Sequence, residues 1–230
     1  MVRRYVMKVR ADLHIHSLAS DGKEHPCTIV KYALRRGIRV ISITDHDTFA
    51  GSILANRCGI KGVTIVYGAE IRTNYGDVLV LCDYYLKNVN KDLMALVDIS
   101  KSNGCLVIPA HPLNIIKEGI GLLALSDIWD GVEIFNGGSD PFSNFLSLLL
   151  FKNYKKVKLA NSDAHVLSMI GSAHNILTVN DLTLDDVLEA IRRGEVKPVI
   201  GYSLTSQVER FSWSLKRYLW GLPTTLRLNI

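Results

Sequence analysis

Long apolar runs are missing from this chain. The densest, Phe145 to Phe151, is far too short to span a bilayer. Met1 to Arg10 carries four basic residues with no apolar stretch behind them, which argues against a secretory signal. Cysteine is scarce: Cys27, Cys58, Cys82 and Cys105 lie far apart and form no CxxC pair. That pattern suits reduced thiols better than a disulfide framework, so the expectation is a cytoplasmic protein with free cysteines and no membrane association. There is no GxSxG elbow and no Gly-rich phosphate loop of the Walker type, so nucleotide-driven phosphoryl transfer finds no support. Internal repeats, low-complexity tracts and Pro/Gly-rich linkers are also lacking, which makes one domain the default reading of 230 residues.

What is present is enough apolar residue for a core: 48% of the chain is hydrophobic and 21% charged, which excludes wholesale disorder. The net charge of +5 invites a nucleic-acid reading, but its distribution weakens that reading. From Arg192 to Ile230 there are seven basic and two acidic residues, while the preceding 191 carry 20 of each sign.

Short β-rich runs alternate with helical segments. Strands are predicted near Lys8–Leu13, Arg39–Thr44, Val63–Tyr67, Val78–Leu81, Cys105–Pro109, Gly131–Phe135, Val157–Ala160 and Ala173–Val179. Helices are predicted from Pro26 to a Gly37 stop, over Asp92–Asn103, and from a Thr183 cap to Gly194. Such alternation favours a parallel sheet or barrel.

Polar chemistry gathers where these strands end. His14 and His16, at i and i+2 on an extended segment, project to one face. Asp21 follows in a Ser-Asp-Gly turn, where simple turn chemistry is the bland alternative. Val40–Thr44 runs into Asp45-His46-Asp47, and acids just past a buried strand are costly without partners. Val63–Tyr67 leads to Glu70, Cys105–Pro109 to His111, Gly131–Phe135 to Asn136, and Val157–Ala160 to Asn161-Ser162-Asp163-Ala164-His165. Each His or acid alone is more often structural than catalytic. Together, five of the seven histidines and three carboxylates sit at strand ends, the face where α/β barrels place active sites. Imidazole with carboxylate suits Zn²⁺, Mn²⁺ or Fe, and eight such groups are too many for one tetrahedral ion. The expectation is two or three divalent ions sharing a bridging carboxylate, an arrangement suited to hydrolysing phosphoesters with an activated water.

The ordered set DLHIHS, SDG, TDHD, GAE, AHP and NSDAH resembles the PHP superfamily (polymerase and histidinol phosphatase domains) from about Ala11 to Val199. The resemblance implies a distorted TIM-like (β/α)7 barrel and metal-dependent phosphoester hydrolysis. It implies His14, His16, Glu70 and Asp163 around one metal, Asp21, His46 and His165 around another, and a third position with Glu70 as bridge and His111. Asp163, His111 and Glu70 are the catalytic candidates. Many members place a histidine shortly after the Glu, in a segment like H-x-x-H-x-x-G, whereas this chain has Gly76-Asp77-Val78-Leu79-Val80. Asp77 is either an oxygen ligand there, favouring Mn²⁺ or Mg²⁺, or a turn residue beside a dinuclear site.

For the substrate's phosphate, Arg72 is a candidate because a guanidinium can bind two oxygens at once, against the alternative of a surface arginine. His174 is a second candidate, as phosphate donor or general acid, while His25 is expected at a helix start facing solvent. The short chain and the SDG after HxH most resemble stand-alone phosphoesterases of nucleoside phosphates or short oligonucleotides. Histidinol-phosphate-type or other small-molecule phosphatases are the alternative. A non-catalytic RNA-binding subunit resembling RNase P proteins is disfavoured by the nearly complete ligand set. An amidohydrolase is disfavoured by the lack of a strand-end lysine. Residues 1–201 are read as the barrel and 202–230 as a basic amphipathic extension packed on it. Val208, Phe211, Leu215 and Leu219 form its expected buried stripe, with nucleic-acid contact as the other reading.

Overall fold

The structure, a computed structural model, describes residues 6–220. Along them run β1 (Met7–Ile15), α1 (Pro26–Arg35), β2 (Ile38–Ile43), α2 (Ala50–Arg57), β3 (Thr64–Arg72), β4 (Asp77–Cys82), α3 (Leu93–Ser102), β5 (Leu106–Pro109), β6 (Gly131–Asn136), α4 (Pro141–Leu150), β7 (Val157–Asn161), β8 (His174–Val179), α5 (Leu184–Arg192), β9 (Val196–Val199) and α6 (Leu204–Trp220). The strands expected from sequence all form. Helices α2 and α4 and strand β9 are additional. Helix α4 carries its start signal in Asp140, whose side chain accepts from Ser143 N, followed by Pro141. Its apolar run Phe145–Phe151 hid the helix because the run has no helical period.

Seven strands form one mixed sheet in the order β5-β4-β3-β2-β1-β8-β9, and β6 and β7 form a separate parallel pair. The two edges of the large sheet meet that pair: β6 lies against β5, and β7 against β9, β8 and β1. Since β6 and β7 are themselves hydrogen-bonded, the sheet must curl to bring its edges to them. The architecture is thus α/β with a curled, partly closed sheet, and it differs from the regular (β/α)7 alternation expected. Only β1–β2–β3 and β6–β7 pair in parallel, whereas β3–β4, β4–β5, β1–β8 and β8–β9 are antiparallel. The reason is visible at β3–β4, where residues 73–76 alone separate the strands, far too few for a crossover helix.

Burial on both sheet faces makes the strands read as near-continuous apolar runs. Along β4, Leu79 and Leu81 enter one core cluster with Leu13, Val40 and Val66, while Val78, Val80 and Cys82 enter another with Leu96, Val107 and Trp129. Helix α1 buries Ile29, Val30 and Ala33 against Ile41 and Ile43 of β2 and stops at Gly37, whose φ of 74° suits glycine. His25 caps that helix, its Nδ1 accepting from Cys27 N, and is exposed as expected.

Helix α6 forms where the amphipathic segment was expected but turns the other way. Val208, Phe211 and Leu219 are 71%, 71% and 68% exposed, so the apolar stripe faces solvent. The side against the barrel is polar: Ser206 Oγ donates to Ser168 O, Trp213 Nε1 to Asp21 O, and Arg217 Nη1 to Ser20 O. The loops beneath present backbone carbonyls that need donors, and this stripe supplies them. The remainder of the proposed extension, residues 221–230, lies outside the described residues. No helix among the described residues is long and apolar enough to cross a membrane.

The free-thiol expectation is corrected. Cys27 in α1 is bonded to Cys58 at the end of α2, with a Cα–Cα separation of 5.7 Å. Cys82 is bonded to Cys105 at 4.3 Å. The second pair follows from topology, because Leu81 of β4 sits opposite Leu106 of β5 and brings the flanking cysteines together across 23 residues of sequence. The thiol argument for a cytoplasmic location falls with it. Thiol titration of the unfolded, unreduced protein should find no reactive cysteine, and all four after reduction. Four reactive thiols before reduction would contradict the pairing.

Candidate metal centre

The carboxyl ends of β1 and β7 and the middle of β3 converge on one buried cluster. His14 lies within β1 and His16 just beyond it. Glu70 lies inside β3, which runs on to Arg72 rather than ending at Tyr67. Glu70 is the centre of the geometry. Its Oε2 lies 3.3 Å from His14 Nε2, 3.2 Å from His16 Nε2 and 3.2 Å from His46 Nδ1, and its Oε1 lies 2.9 Å from His111 Nε2. Asp163 Oδ1 lies 3.2 Å from His16 Nε2 and 3.4 Å from His165 Nδ1. Asp21 Oδ2 lies 3.2 Å from His165 Nε2 and 3.7 Å from His46 Nε2. All eight ligand candidates are therefore brought together.

Three groups of ligand atoms come within 4.8 Å of one another: His16, Asp21, His46 and His165; His14, His16 and Asp163; and His14, Glu70 and His111. These donors fit divalent metal ions. His14 Nε2 and His16 Nε2 face each other at 3.2 Å, and the buried Nδ1 of His46 makes no hydrogen bond despite its proximity to Glu70. Imidazole nitrogens and carboxylate oxygens converging in this way make a ligand set for Zn²⁺, Mn²⁺ or Fe.

Burial opposes every charge here, and the neighbours decide which charges survive. Burial would raise the Glu70 carboxyl, but His14, His46 and His111 hold it well below the usual range. Asp163 is likewise held well below by Lys117 and His14, and Asp21 by His165 and His46. His16, despite burial, is pushed up to about 10 by Asp163 and Glu70. His165 goes the other way, to about 4, because burial outweighs Asp21. Asp77 is raised to about 6 by burial and the Glu70 charge.

A surrounding layer of buried acids orients this cluster. Glu133 Oε1 lies 3.0 Å from His14 Nδ1 and accepts from Asn161 Nδ2, while its Oε2 accepts from Asn136 Nδ2 and from the backbone N of His111. Committing Nδ1 of His14 to Glu133 leaves Nε2 directed at the centre, the arrangement that fixes a ligand's ring. Asp45 accepts from Ser17 N, Ser17 Oγ and Ser20 Oγ and so shapes the turn carrying Asp21. Asp12 accepts from Ser162 N, Ser162 Oγ and Gly171 N, anchoring the segment that holds Asp163. Asp163 and His111 have φ of 49° and 30°, a left-handed backbone that non-glycine residues keep only when their surroundings impose it.

The remaining candidates divide. Asp77 and Arg72 line the cavity of about 210 Å³ over the cluster. Asp77 Oδ2 is 4.0 Å from His111 Nε2, and its buried Oδ1 makes no hydrogen bond. Arg72 Nε is 2.8 Å from Glu118 Oε2 and 3.5 Å from Asp77 Oδ1. His174 is not brought to the cavity. Its Nε2 accepts from Arg10 Nε and its Nδ1 faces Gly171 O, so both ring nitrogens are engaged elsewhere. Sequence reasoning missed Glu133, although an acid inside the apolar run of β6 signals a buried partner. It also missed Lys117, which reaches Asp163 Oδ2 from the irregular loop after β5, and Arg210 of α6, which lines the same cavity. A lysine, Lys117, does stand at the site, although it comes from a loop rather than a strand end.

A family model described as PHP-associated matches residues 141–196. An uncharacterized protein of Methanocaldococcus jannaschii is 33% identical over 142 residues, which is 56% of this chain and 82% of that protein. A 5'-3' exoribonuclease of Haemophilus influenzae is 42% identical over 73 residues, and a 3',5'-nucleoside bisphosphate phosphatase of Chromobacterium violaceum 32% over 66. These matches take 30% and 28% of this chain, which spans about a quarter of the length of either enzyme, 26% and 23%. Among solved structures, a two-domain Bacteroides vulgatus protein containing a predicted PHP-like metal-dependent phosphoesterase superposes with a TM-score of 0.70 at 19% identity, over 85% of this chain and 66% of that one. The segment matched by the family model carries β7 and the candidate ligands Asp163 and His165, and the motifs before it supply the rest of the cluster; the chain belongs to the PHP family.

Proposed function

We propose that this chain is a metal-dependent phosphoesterase acting on nucleoside phosphates or short oligonucleotide ends. The observation that carries the reading is Glu70 placed among four imidazoles, with Asp163 and Asp21 beside them, at the floor of an open cavity. Two or three divalent ions are proposed: one with His14, His16, Glu70 and Asp163, one with Asp21, His46 and His165, and a third position with His111 and a bridging Glu70. Asp77, whose Oδ2 lies 4.0 Å from His111 Nε2, supports an oxygen donor at that third position. When bound, such ions stabilise charge on a phosphoryl oxygen and lower the pKa of a water.

The chain's own residues prepare that chemistry. Glu70 and Asp163 are held ionised, so their oxygens are available as ligands at neutral pH. His111, with its backbone fixed by Glu133 and its ring on Glu70, stands at the cavity wall where it can hold or move a proton. Arg72 also faces the cavity, but it must exchange Glu118 and Asp77 for phosphate oxygens before it can bind substrate. The names of the exoribonuclease and the bisphosphate phosphatase favour nucleotide phosphates over other small phosphoesters. Histidinol-phosphate-type substrates remain the second reading within the same chemistry.

Two outcomes are expected. With a raised value near 10, His16 carries a proton at neutral pH before a metal binds, and coordination requires the neutral ring. Mn²⁺ binding should therefore release protons, and affinity should keep rising with pH through neutrality towards about 10. Calorimetry in buffers of different ionisation enthalpy reads the proton count; pH-independent affinity without release would contradict this picture. Second, a panel of phosphomonoesters, phosphodiesters and amides, tested with Mn²⁺ or Zn²⁺, should show phosphoester turnover that Asp163→Ala lowers by more than about a hundredfold. Tight RNA binding with no turnover on any phosphoester would overturn the enzyme reading.

A further inference from the structure

Helix α6 reaches the metal centre as well as the barrel wall. Its residues at positions 206, 210, 213 and 217 form one stripe, spaced by four, three and four, against the loops that carry the ligands. Trp213 holds the carbonyl of Asp21 itself, while Gln207 and Arg210 donate to the carbonyls of Gly137 and Gly138 in the loop after β6. Arg210 is half-buried and lines the same cavity as Glu70, Asp163 and His111. Lys117 also lines the cavity and pairs with Asp163 Oδ2, whereas Asp163 Oδ1 faces His16.

The two cations converge on one point. A Cβ placed on Gly138 would lie 2.8 Å from Arg210 Nη1, 2.8 Å from Asp163 Oδ2 and 2.9 Å from Lys117 Nζ. A side chain at position 138 would have to displace one of these three groups. One N–H of Arg210 is used on Gly138 O and one of Lys117 on Asp163, so most of the five guanidinium and three ammonium donors remain for a ligand. Arg72, by contrast, is already neutralised by two carboxylates.

We propose that Lys117 and Arg210 form a cationic clamp for the terminal phosphate of a phosphomonoester, making α6 part of the active site. The proposal rests on the phosphoesterase reading and sharpens its substrate class. A terminal phosphate carries about −1.5 to −2 charges at neutral pH and three acceptor oxygens, matching two cations, whereas an internal diester carries one charge. Charge-assisted hydrogen bonds from a guanidinium and an ammonium favour the monoester accordingly. The same terminal phosphate can belong to a mononucleotide or to an oligonucleotide end, and the clamp reads what they share.

The test uses the Mn²⁺-loaded full chain with Arg210→Ala, Arg210→Lys and Lys117→Ala, and Tyr218→Ser, on the solvent side of α6, as control. Inorganic phosphate binding by calorimetry is measured beside kcat and KM for p-nitrophenyl phosphate, 5'-AMP, a 5'-phosphorylated oligonucleotide and bis-p-nitrophenyl phosphate. The clamp predicts that either alanine variant weakens phosphate binding and raises monoester KM by about tenfold or more, the effect of one charge-assisted hydrogen bond. Diester KM should stay near the wild-type value, metal content should be unchanged, Arg210→Lys should restore part of the affinity, and Tyr218→Ser should match wild type. A rise in KM for both 5'-AMP and the phosphorylated oligonucleotide supports recognition of the shared terminal phosphate. Wild-type phosphate affinity and monoester KM in both alanine variants overturn the clamp, as does an equal loss on mono- and diesters. Phosphate bound by wild type and lost in the variants, with no ester turned over by any of them, supports the clamp and overturns the phosphoesterase reading instead.

Discussion

Three carboxylates and five imidazoles gather in one place largely out of water, and the fold is arranged around that gathering. Each carboxylate, taken out of water alone, would cost several kcal/mol or take up a proton. Here Glu70 and Asp21 are held ionised by the histidines around them and Asp163 by Lys117 and His14, while His14 and His16 are held protonated by the carboxylates in turn. Such mutual compensation requires the groups to stay within about 4 Å, and that requirement reaches outward into the fold. Glu133 fixes the ring of His14, Asp45 fixes the turn before Asp21, and Asp12 fixes the segment carrying Asp163. The curled sheet brings β1, β3, β5 and β7 to one mouth so that these supports can act on one centre.

The same constraint explains the two backbone irregularities at the site. A left-handed conformation at Asp163 and at His111 costs of order 1–3 kcal/mol each and persists only because surrounding hydrogen bonds over-determine it. Ser162 is held at both its backbone N and its hydroxyl by Asp12, and His111 N is held by Glu133. Asp77 is also buried, and burial together with the Glu70 charge outweighs His111 and Arg72, so its carboxyl is raised to about 6. Helix α6 extends the pattern outward, since its polar stripe closes over the carbonyls of the ligand-bearing loops.

Much of the centre was legible in the sequence because its ligands obey local rules. His14 and His16 project together from an extended segment, and the carboxylates and histidines after β2, β5 and β7 follow strands that end on one face. What was not legible depends on long-range placement. Lys117 and Arg210 come from an irregular loop and a late helix and meet only through Gly138. Cys82 and Cys105 are neighbours only because β4 and β5 are antiparallel, a pairing no local motif announces. For α6, the apolar stripe of Val208, Phe211, Leu215 and Leu219 suggested the buried side, but the surface it meets is made of carbonyl groups and selects Ser206, Arg210 and Trp213 instead. His174 follows Asp163 closely in sequence, yet its ring nitrogens are engaged by Arg10 and Gly171 and it does not line the cavity.

Glu70 and its neighbours are proposed to form one multinuclear metal site. Metal content per chain, measured by inductively coupled plasma mass spectrometry after equilibration with Mn²⁺ or Zn²⁺ and removal of free ions, tests it most directly. Two or three ions per wild-type chain are expected, and a reduced count in Glu70→Gln, which removes the proposed bridge. One ion or none in the wild type, or an unchanged count in Glu70→Gln, would contradict it.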